Sequence, residues 1–219
     1  MIGLYVTVPV ACFRKGMARE YLETEIIPPP STCYGFLLSL VGETQRTAHI
    51  GARVSAAIRG APAISTVLRT MWRVKDRKLG SGQGNNARPD YQELLTNLEL
   101  LIWLDSSDET GLPAVINLEG KVTGAMKSKG AGVKRFGGLS LGESTHLVDQ
   151  ITVLPNAMVP QDGWTLFSSN ARGSLSLPVW VDHVGSKGTR HVVGDLSPAD
   201  LTPPDRLALP QIQPLNSAG

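Results

Sequence analysis

Glycine and proline are concentrated in four stretches of this chain, and they divide it into short segments of regular structure. The clusters lie at 28–30, 80–84, 130–142 and after residue 198. Proline lacks an amide hydrogen and glycine lacks a side chain, so both interrupt helices and strands and mark loops. The runs between the clusters therefore predict a fold of short strands and few helices.

The pattern between the clusters predicts strands at 2–9, 51–60, 93–105 and 145–154 and short strands within 164–184 and 189–195. A helix is predicted after the three prolines, because Phe36, Leu37 and Leu40 have helical spacing. Ser31 or Thr32 is expected to cap this helix, and Gly42 is expected to end it. A second helix is predicted at 112–129.

The order of these elements is β-α-β-β-α-β, which predicts an α+β fold of the ferredoxin-like or RNA-recognition type. A hairpin arm at about 65–95 is inserted in a first domain at 1–155. Residues 156–219 are expected to form an extension of extra strands and a proline-rich tail. Both helices would cover one face of the sheet and leave the other face free for single-stranded RNA.

Composition fits a globular chain of one domain with elaborations, because 42% of its 219 residues are hydrophobic and 18% are charged. The sequence contains no run of eighteen apolar residues, so no membrane span is predicted. The start of the chain is typical of a strand rather than a signal peptide. Two cysteines exclude a disulfide-dense fold, a zinc site of cysteines alone and an iron–sulfur cluster. A reduced, cytoplasmic protein is expected.

The net charge of +2 conceals two basic segments on an otherwise acidic chain. Residues 69–88 carry six basic residues and one acidic residue, and residues 121–135 carry five basic residues and no acidic one. Such segregation favours two surfaces that face a polyanion, although two solvated loops would show the same pattern. In the arm, basic residues would bind phosphates while Trp72 and Tyr91 stack on bases, and these basic residues are Arg69, Arg73, Lys75, Arg77, Lys78 and Arg88.

The glycine-rich segment is the second candidate site. Gly137, Gly138 and Gly142 would let the backbone approach a ligand, and successive amides in such a loop bind anions. Lys134 and Arg135 add positive charge directly beside them. A tight turn or a β-bulge would explain the same glycines without a ligand.

Catalytic and metal-binding patterns are scarce. None of the four histidines belongs to a metal-ligand motif, so no metal and no cofactor are expected. A metal-independent ribonuclease stays open, because such an enzyme needs an acid, a base and a cation. His146, Tyr34 and either Lys134 or Lys129 could supply these groups.

Three stretches of this sequence together resemble the fifth CRISPR-associated protein family. The first is Ala11-Cys12-Phe13-Arg14 after the first strand, and the second is Ile27-Pro28-Pro29-Pro30-Ser31-Thr32 with the apolar helix that follows. The third is Arg135-Phe136-Gly137-Gly138-Leu139-Ser140-Leu141-Gly142-Glu143-Ser144, which is similar to the form found in type I-B systems. The resemblance covers about residues 1–155.

This resemblance implies a RAMP-superfamily subunit of a type I Cascade complex that grips the 5′ handle of the CRISPR RNA. The arm would be the family's thumb, with its tip at 76–89. The subunit would contact the backbone filament and the large subunit, close to target DNA at the protospacer-adjacent motif. The residues that the resemblance assigns to the handle are Phe13, Arg14, Lys15, Ser31, Thr32, Tyr34, Gly137, Gly138, Ser140 and Ser144.

A non-catalytic role is expected, because the Tyr–Lys–His set of the family's RNA-cleaving branch has no clear match in this chain. Three alternatives stay open. They are a metal-independent endoribonuclease that processes precursor RNA, a general binder of single-stranded nucleic acid, and a module that binds only acidic protein surfaces.

Overall fold

The computed structural model describes residues 1–16, 21–72, 74–110, 116–135, 137–154, 159–183 and 187–215. Two α-helices are present in this part of the chain, α1 (Pro30–Val41) and α2 (Leu118–Lys127). The strands are β1 (Ile2–Ala11), β2 (Phe13–Arg14), β3 (Tyr21–Leu22), β4 (Thr24–Glu25), β5 (Arg53–Arg59), β6 (Ala63–Trp72), β7 (Ala87–Asp105), β8 (Gln150–Val153), β9 (Trp164–Ser169), β10 (Leu175–Trp180) and β11 (Arg190–Ala199). Within the described ranges, no helix is long and apolar enough to cross a membrane.

A nine-stranded sheet organises the chain. Its main path runs β10-β11-β9-β5-β7-β1-β8, and both β3 and β6 pair with β7 beside this path. The strands β5, β7, β1 and β8 pair with one another in this order, and each of these pairings is antiparallel. With α1 between β1 and β5 and α2 between β7 and β8, they give the predicted β-α-β-β-α-β order, with the arm inserted.

The main core lies between the helices and one face of this sheet. Alternate residues of β1, among them Leu4 and Val6, point to this face and are fully buried. Val54, Ala56 and Ile58 of β5 lie on the same face, as their alternation predicts.

The opposite face of the sheet is covered, so the expectation of a free RNA-binding face is wrong over this area. Tyr5, Trp103 and Trp164 form a second buried cluster there, and Leu209 of the chain's last segment packs into it. Strand alternation identifies the residues of this face, but it gives no indication of which distant segment will cover them.

Helix α1 ends as predicted and begins differently. Gly42 follows its last residue with a φ of 72°, a left-handed conformation that glycine adopts without steric cost. At the start, Pro29 is the N-cap and Pro30 is the first helical residue, and no side chain caps the helix. The predicted cap at Ser31 or Thr32 is therefore wrong, because proline's fixed φ favours the first helical position.

The remaining predicted elements are shifted by a few residues. Helix α2 occupies only 118–127 of the predicted 112–129, and residues 111–115 lie outside the described ranges. Strand β8 is confined to four residues of the predicted 145–154. Strand β7 begins six residues before the predicted 93–105, because its first half pairs with β6 to form the arm.

The C-terminal strands continue the same sheet, since β9 pairs with β5. The tail then returns to β5, where the Ile212 amide donates to the Ala52 carbonyl at 2.8 Å. Arg206 and Arg53 both bind the carboxylate of Asp108, at 2.7 and 2.9 Å, and so fix the tail at the sheet end. The domain boundary at 155 stays a prediction, whereas the pairing joins both segments in one sheet.

Truncation of Leu209 tests how much the tail stabilises the fold. Leu209→Ala removes a fully buried side chain from the second cluster and is expected to lower the free energy of unfolding by about 2–5 kcal/mol. Leu207→Ala is the matched control, because Leu207 is 63% exposed and its loss should cost less than about 0.5 kcal/mol. Urea unfolding of both variants measures the difference, and equal midpoints would show that the tail is dispensable.

Candidate nucleic-acid interface

The glycine-rich segment 137–144 lies where the end of β1, the base of the arm and the start of α1 approach one another. Gly142 has a φ of +101°, and a Cβ there would be 2.8 Å from the carbonyl oxygen of Cys12. Only glycine allows this backbone to pass so close to the end of β1. This contact joins the first and third motifs of the sequence.

His146 fixes the same junction from inside. Its side chain is buried, and its Nδ1 accepts hydrogen bonds from the amides of Cys12 and Glu143, both at 3.1 Å. The imidazole is therefore neutral with its hydrogen on Nε2, and burial lowers its pKa. The nearby Arg69 guanidinium lowers this pKa further, while the Glu143 carboxylate opposes the shift.

The carboxylate of Glu143 connects the segment to the arm. Arg69 of β6 donates to it at 3.2 Å, and Gln92 of β7 donates to its other oxygen at 3.0 Å. Both arm strands are thus held to the glycine-rich segment by one side chain. Arg69 was predicted to bind phosphate, and its charge is partly neutralised by this ion pair.

A cleft of about 310 Å³ separates the start of α1 from the glycine-rich segment, and it joins the second and third motifs. Its polar lining comprises Ser31, Thr32, Ser39, Arg46, Ser140 and His183. Arg46 is oriented by stacking on Trp180 at 4.5 Å and by donating to the Val181 carbonyl at 3.0 Å.

Side chains, rather than helix amides, supply most of the hydrogen-bond donors in this cleft. Pro29 and Pro30 have no amide hydrogen, and the amides of Thr32 and Cys33 already donate to the Pro29 carbonyl at 2.9 and 3.0 Å. An anion at this helix start would therefore meet mainly the hydroxyls of Ser31, Thr32 and Ser140 and the guanidinium of Arg46.

The basic side chains of the arm fall into two groups. Arg88 forms a two-pronged contact with the buried Asp90, at 2.6 and 2.8 Å, so it is engaged within the arm. The described ranges contain no ion pair for the exposed cations Lys75, Arg77, Lys78, Lys134 and Arg135, which are available to a ligand. Arg73, which was also predicted to bind phosphate, lies outside the described residues.

Asn86 holds the tip of the arm together. Its side-chain oxygen accepts from the amides of Lys75 and Asp76, both at 2.8 Å. Its amide nitrogen donates to the carbonyls of Asp76, Leu79 and Gly80 at 2.8–3.2 Å. The predicted loop at 76–89 is therefore a compact turn around one buried amide up to residue 86, and its last three residues already belong to β7.

One face of the arm presents aromatic rings. Tyr21 of β3 and Tyr91 of β7 are both exposed, with ring centroids 6.3 Å apart, and Leu68 lies opposite Tyr91. Trp72 is 71% exposed, and its ring lies against Gly82. Trp72 and Tyr91 thus face solvent, whereas Tyr21 was missed because nothing in the sequence shows that β3 pairs beside β7.

Several predicted handle residues have structural partners. Phe13 and Tyr34 are 2% exposed, so they belong to the core rather than to a surface. Lys15 pairs with Glu23 at 3.6 Å at the sheet margin, beside the exposed Arg14. Gly137, Gly138 and Ser144 are exposed on the glycine-rich segment, and Ser140 is half-buried beside the cleft.

Two of the candidate ribonuclease residues, Tyr34 and His146, are engaged in structural hydrogen bonds. The Tyr34 hydroxyl donates to the Arg46 carbonyl at 2.7 Å, and burial raises its pKa. His146 uses Nδ1 to accept two backbone amides. Over the described ranges, no three His, Cys, Asp or Glu side chains gather as metal ligands.

Comparison with known proteins identifies the family. No family model matches the chain. A protein of Myxococcus xanthus (strain DK1622) named CRISPR-associated protein Cas5 is 50% identical over 219 residues, which is the full length of both proteins. The chain belongs to the Cas5 family. The family that the three motifs predict is thereby confirmed.

Solved structures agree at the level of the fold. A chain in a structure named "CRISPR RNA-guided surveillance complex" has a TM-score of 0.59 and 12% identity, covering 94% of this chain and 95% of that one. Another, named "Crystal structure of Cas protein", has a TM-score of 0.49 and 13% identity, covering 95% and 98%. The first likeness confirms the mixed α+β class for this Cas5-family chain.

The buried His146 predicts a pH dependence of stability in this Cas5-family protein. Its folded-state pKa is lowered, so its contribution is complete above the ordinary histidine pKa of about 6.5 and is lost as pH falls through the folded-state value. Protonation places a hydrogen on Nδ1 against two amide donors. We expect thermal melting to show a loss of stability as the pH falls below about 6.5 that His146→Asn reduces. His191→Asn, at an exposed histidine, should leave that loss unchanged.

The hydrogen bonds of Asn86 predict that this side chain keeps the arm tip ordered. Asn86→Ala removes five hydrogen bonds and should raise amide exchange at 75–80 by at least about tenfold. Exchange in β1 should not change. Ser81→Ala, at an exposed position of the same turn, is the control. Equal exchange in the two variants would contradict the role of the Asn86 amide.

Proposed function

We propose that this chain is a non-catalytic, RNA-binding subunit of a type I CRISPR Cascade effector complex. It grips the 5′ handle of the CRISPR RNA at the glycine-rich segment. The observation that carries the proposal is the convergence of three distant parts of the chain on that segment, namely the end of β1, the base of the arm and the α1 cleft. Membership of the Cas5 family supports the same role, as does the fold shared with a chain of a CRISPR RNA-guided surveillance complex.

The proposed handle surface combines the cleft with two cations that directly precede the glycine-rich segment in the sequence. Lys134 and Arg135 would bind phosphates, while the hydroxyls of Ser31, Thr32 and Ser140 meet a phosphate or a base edge. The exposed Arg14, Gly137, Gly138 and Ser144 would border this surface, with Lys15 beside it. Phe13 and Tyr34 support it from the core.

The arm serves as the thumb in this proposal. Lys75, Arg77 and Lys78 form a cationic tip, and Tyr21, Tyr91 and Trp72 offer faces on which bases stack. The thumb would reach the neighbouring subunit of the backbone filament. The large subunit, and target DNA near the protospacer-adjacent motif, would lie at the handle end of the molecule.

One experiment measures RNA binding and RNA cleavage in the same sample. Repeat-derived RNA and a scrambled RNA of equal length are mixed with the purified chain in the presence of a chelator. Native gels report binding and denaturing gels report cleavage. Intact repeat RNA retained in preference to the scramble supports the proposal. A shortened product favours a metal-independent endoribonuclease, and equal retention of both RNAs favours a general single-strand binder.

Replacing the two loop cations tests the handle surface. Lys134→Ala with Arg135→Ala should weaken repeat-RNA binding roughly tenfold, because two solvent-exposed contacts between a cation and a phosphate are lost, each worth up to about 1 kcal/mol. The slope of log affinity against log salt should fall by about 1.4, since each single-strand phosphate contact contributes about 0.7. Lys134→Ala and Arg135→Ala are also measured singly. Arg172→Ala is the control, because it removes an exposed arginine from the turn between β9 and β10. An unchanged affinity of the double variant would exclude this surface.

A further inference from the structure

A groove of about 810 Å³ lies between α2, β8 and the loop before the glycine-rich segment. Its floor is formed by Leu40, Met126, Leu139, Val148, Ile151 and Val153. All but the first are only partly buried, although they pack against the main core. The core is therefore incomplete along this edge, and the groove exposes its apolar side chains.

Strand β8 is the edge of the sheet at this groove, because it pairs with β1 on one side and ends the strand order. The Leu154 amide donates to the Gly3 carbonyl at 2.9 Å. Antiparallel pairing alternates, so the backbone groups of Thr152 also point to β1, and those of Ile151 and Val153 point outward. An outward row of amides and carbonyls is a template for another strand.

The side chains of β8 provide an apolar surface beside its unpaired backbone groups. Val153 pairs with Leu4 and Ile151 pairs with Val6, so all four lie on the core face of the sheet. Ile151 and Val153 therefore direct their side chains into the groove. A strand added beside β8 would place alternate side chains against Ile151 and Val153.

The rim of the groove is positively charged. Among the described residues, Lys127, Lys129 and Arg135 line it, and Asp149 adds one carboxylate. None of these four belongs to an ion pair of the described residues. An occupant that combines apolar and acidic side chains would match both the floor and the rim.

RNA fits this groove poorly. Among the described residues, no aromatic side chain lines it on which a base could stack, and a phosphate backbone would lie over leucine, isoleucine and valine. A protein segment instead satisfies the outward amides of β8 and covers the apolar floor. We propose that the β8 edge binds an extended segment of a partner protein in which apolar and acidic residues alternate, as an added strand. Four residues of β8 set its minimum span at about 13 Å.

The added-strand proposal shares Arg135 with the proposed RNA surface, whereas Lys127 and Lys129 do not belong to that RNA surface. It is tested on the full chain with two short synthetic peptides, one alternating glutamate and valine and one alternating lysine and valine. Amide exchange is followed at Ile151 and Val153. The glutamate peptide should slow exchange at both amides by at least about tenfold at saturation, and the lysine peptide should need a concentration at least about tenfold higher.

A variant in which two lysines of the groove rim are replaced by glutamate tests the charge preference. Lys127→Glu with Lys129→Glu should invert the preference between the two peptides, and its melting temperature reports whether it is folded. Arg172→Glu should leave the preference unchanged. Equal binding of both peptides, no slowing at the two amides, or protection of these amides by repeat-derived RNA alone would each overturn the proposal.

Discussion

The structure depends on the continuous backbone pairing of β7. This 19-residue strand pairs with β1 and β5 through its second half and with β6 and β3 through its first half. At about 3.4 Å per residue it spans roughly 60 Å, so one strand belongs to both the core sheet and the arm. Asn97, with a φ of 57°, marks the junction, and the pairing with β1 keeps its register on both sides of it. The arm is therefore a direct continuation of the core sheet.

Elements with local causes could be predicted from the sequence. Helix α1 follows from the spacing of Phe36, Leu37 and Leu40, and Gly42 ends it because its left-handed backbone stops the helix. Features that depend on distant partners could not be predicted. Nothing near Arg69 indicates that Glu143, far along the chain, neutralises it, and nothing near Trp103 indicates that the tail covers it. Even the helix start was missed, because proline's fixed φ outweighs a hydroxyl cap.

The candidate site shows the same division. Its location on the glycine-rich segment and the arm was predicted from glycine, lysine and arginine content. Which of these cations are exposed and which form ion pairs could not be predicted, because the tertiary fold sets both properties. Arg88 is bound by Asp90, for example, whereas Arg77 is exposed. Among the cations predicted in the arm and the glycine-rich segment, Lys75, Arg77, Lys78, Lys134 and Arg135 remain accessible. The groove beside β8 has a partly buried apolar floor, so its chemistry differs from that of the proposed RNA surface, although Arg135 belongs to both.

The compact turn around Asn86 has a thermodynamic consequence for any ligand of the arm. A loop that becomes ordered only on binding loses backbone conformational entropy at that moment, at about 1–2 kcal/mol per residue. Here five hydrogen bonds to one buried amide order the tip during folding of the chain itself. The cations at the tip are thus presented by a backbone whose entropy is already lost. More of their electrostatic attraction then remains as net binding affinity.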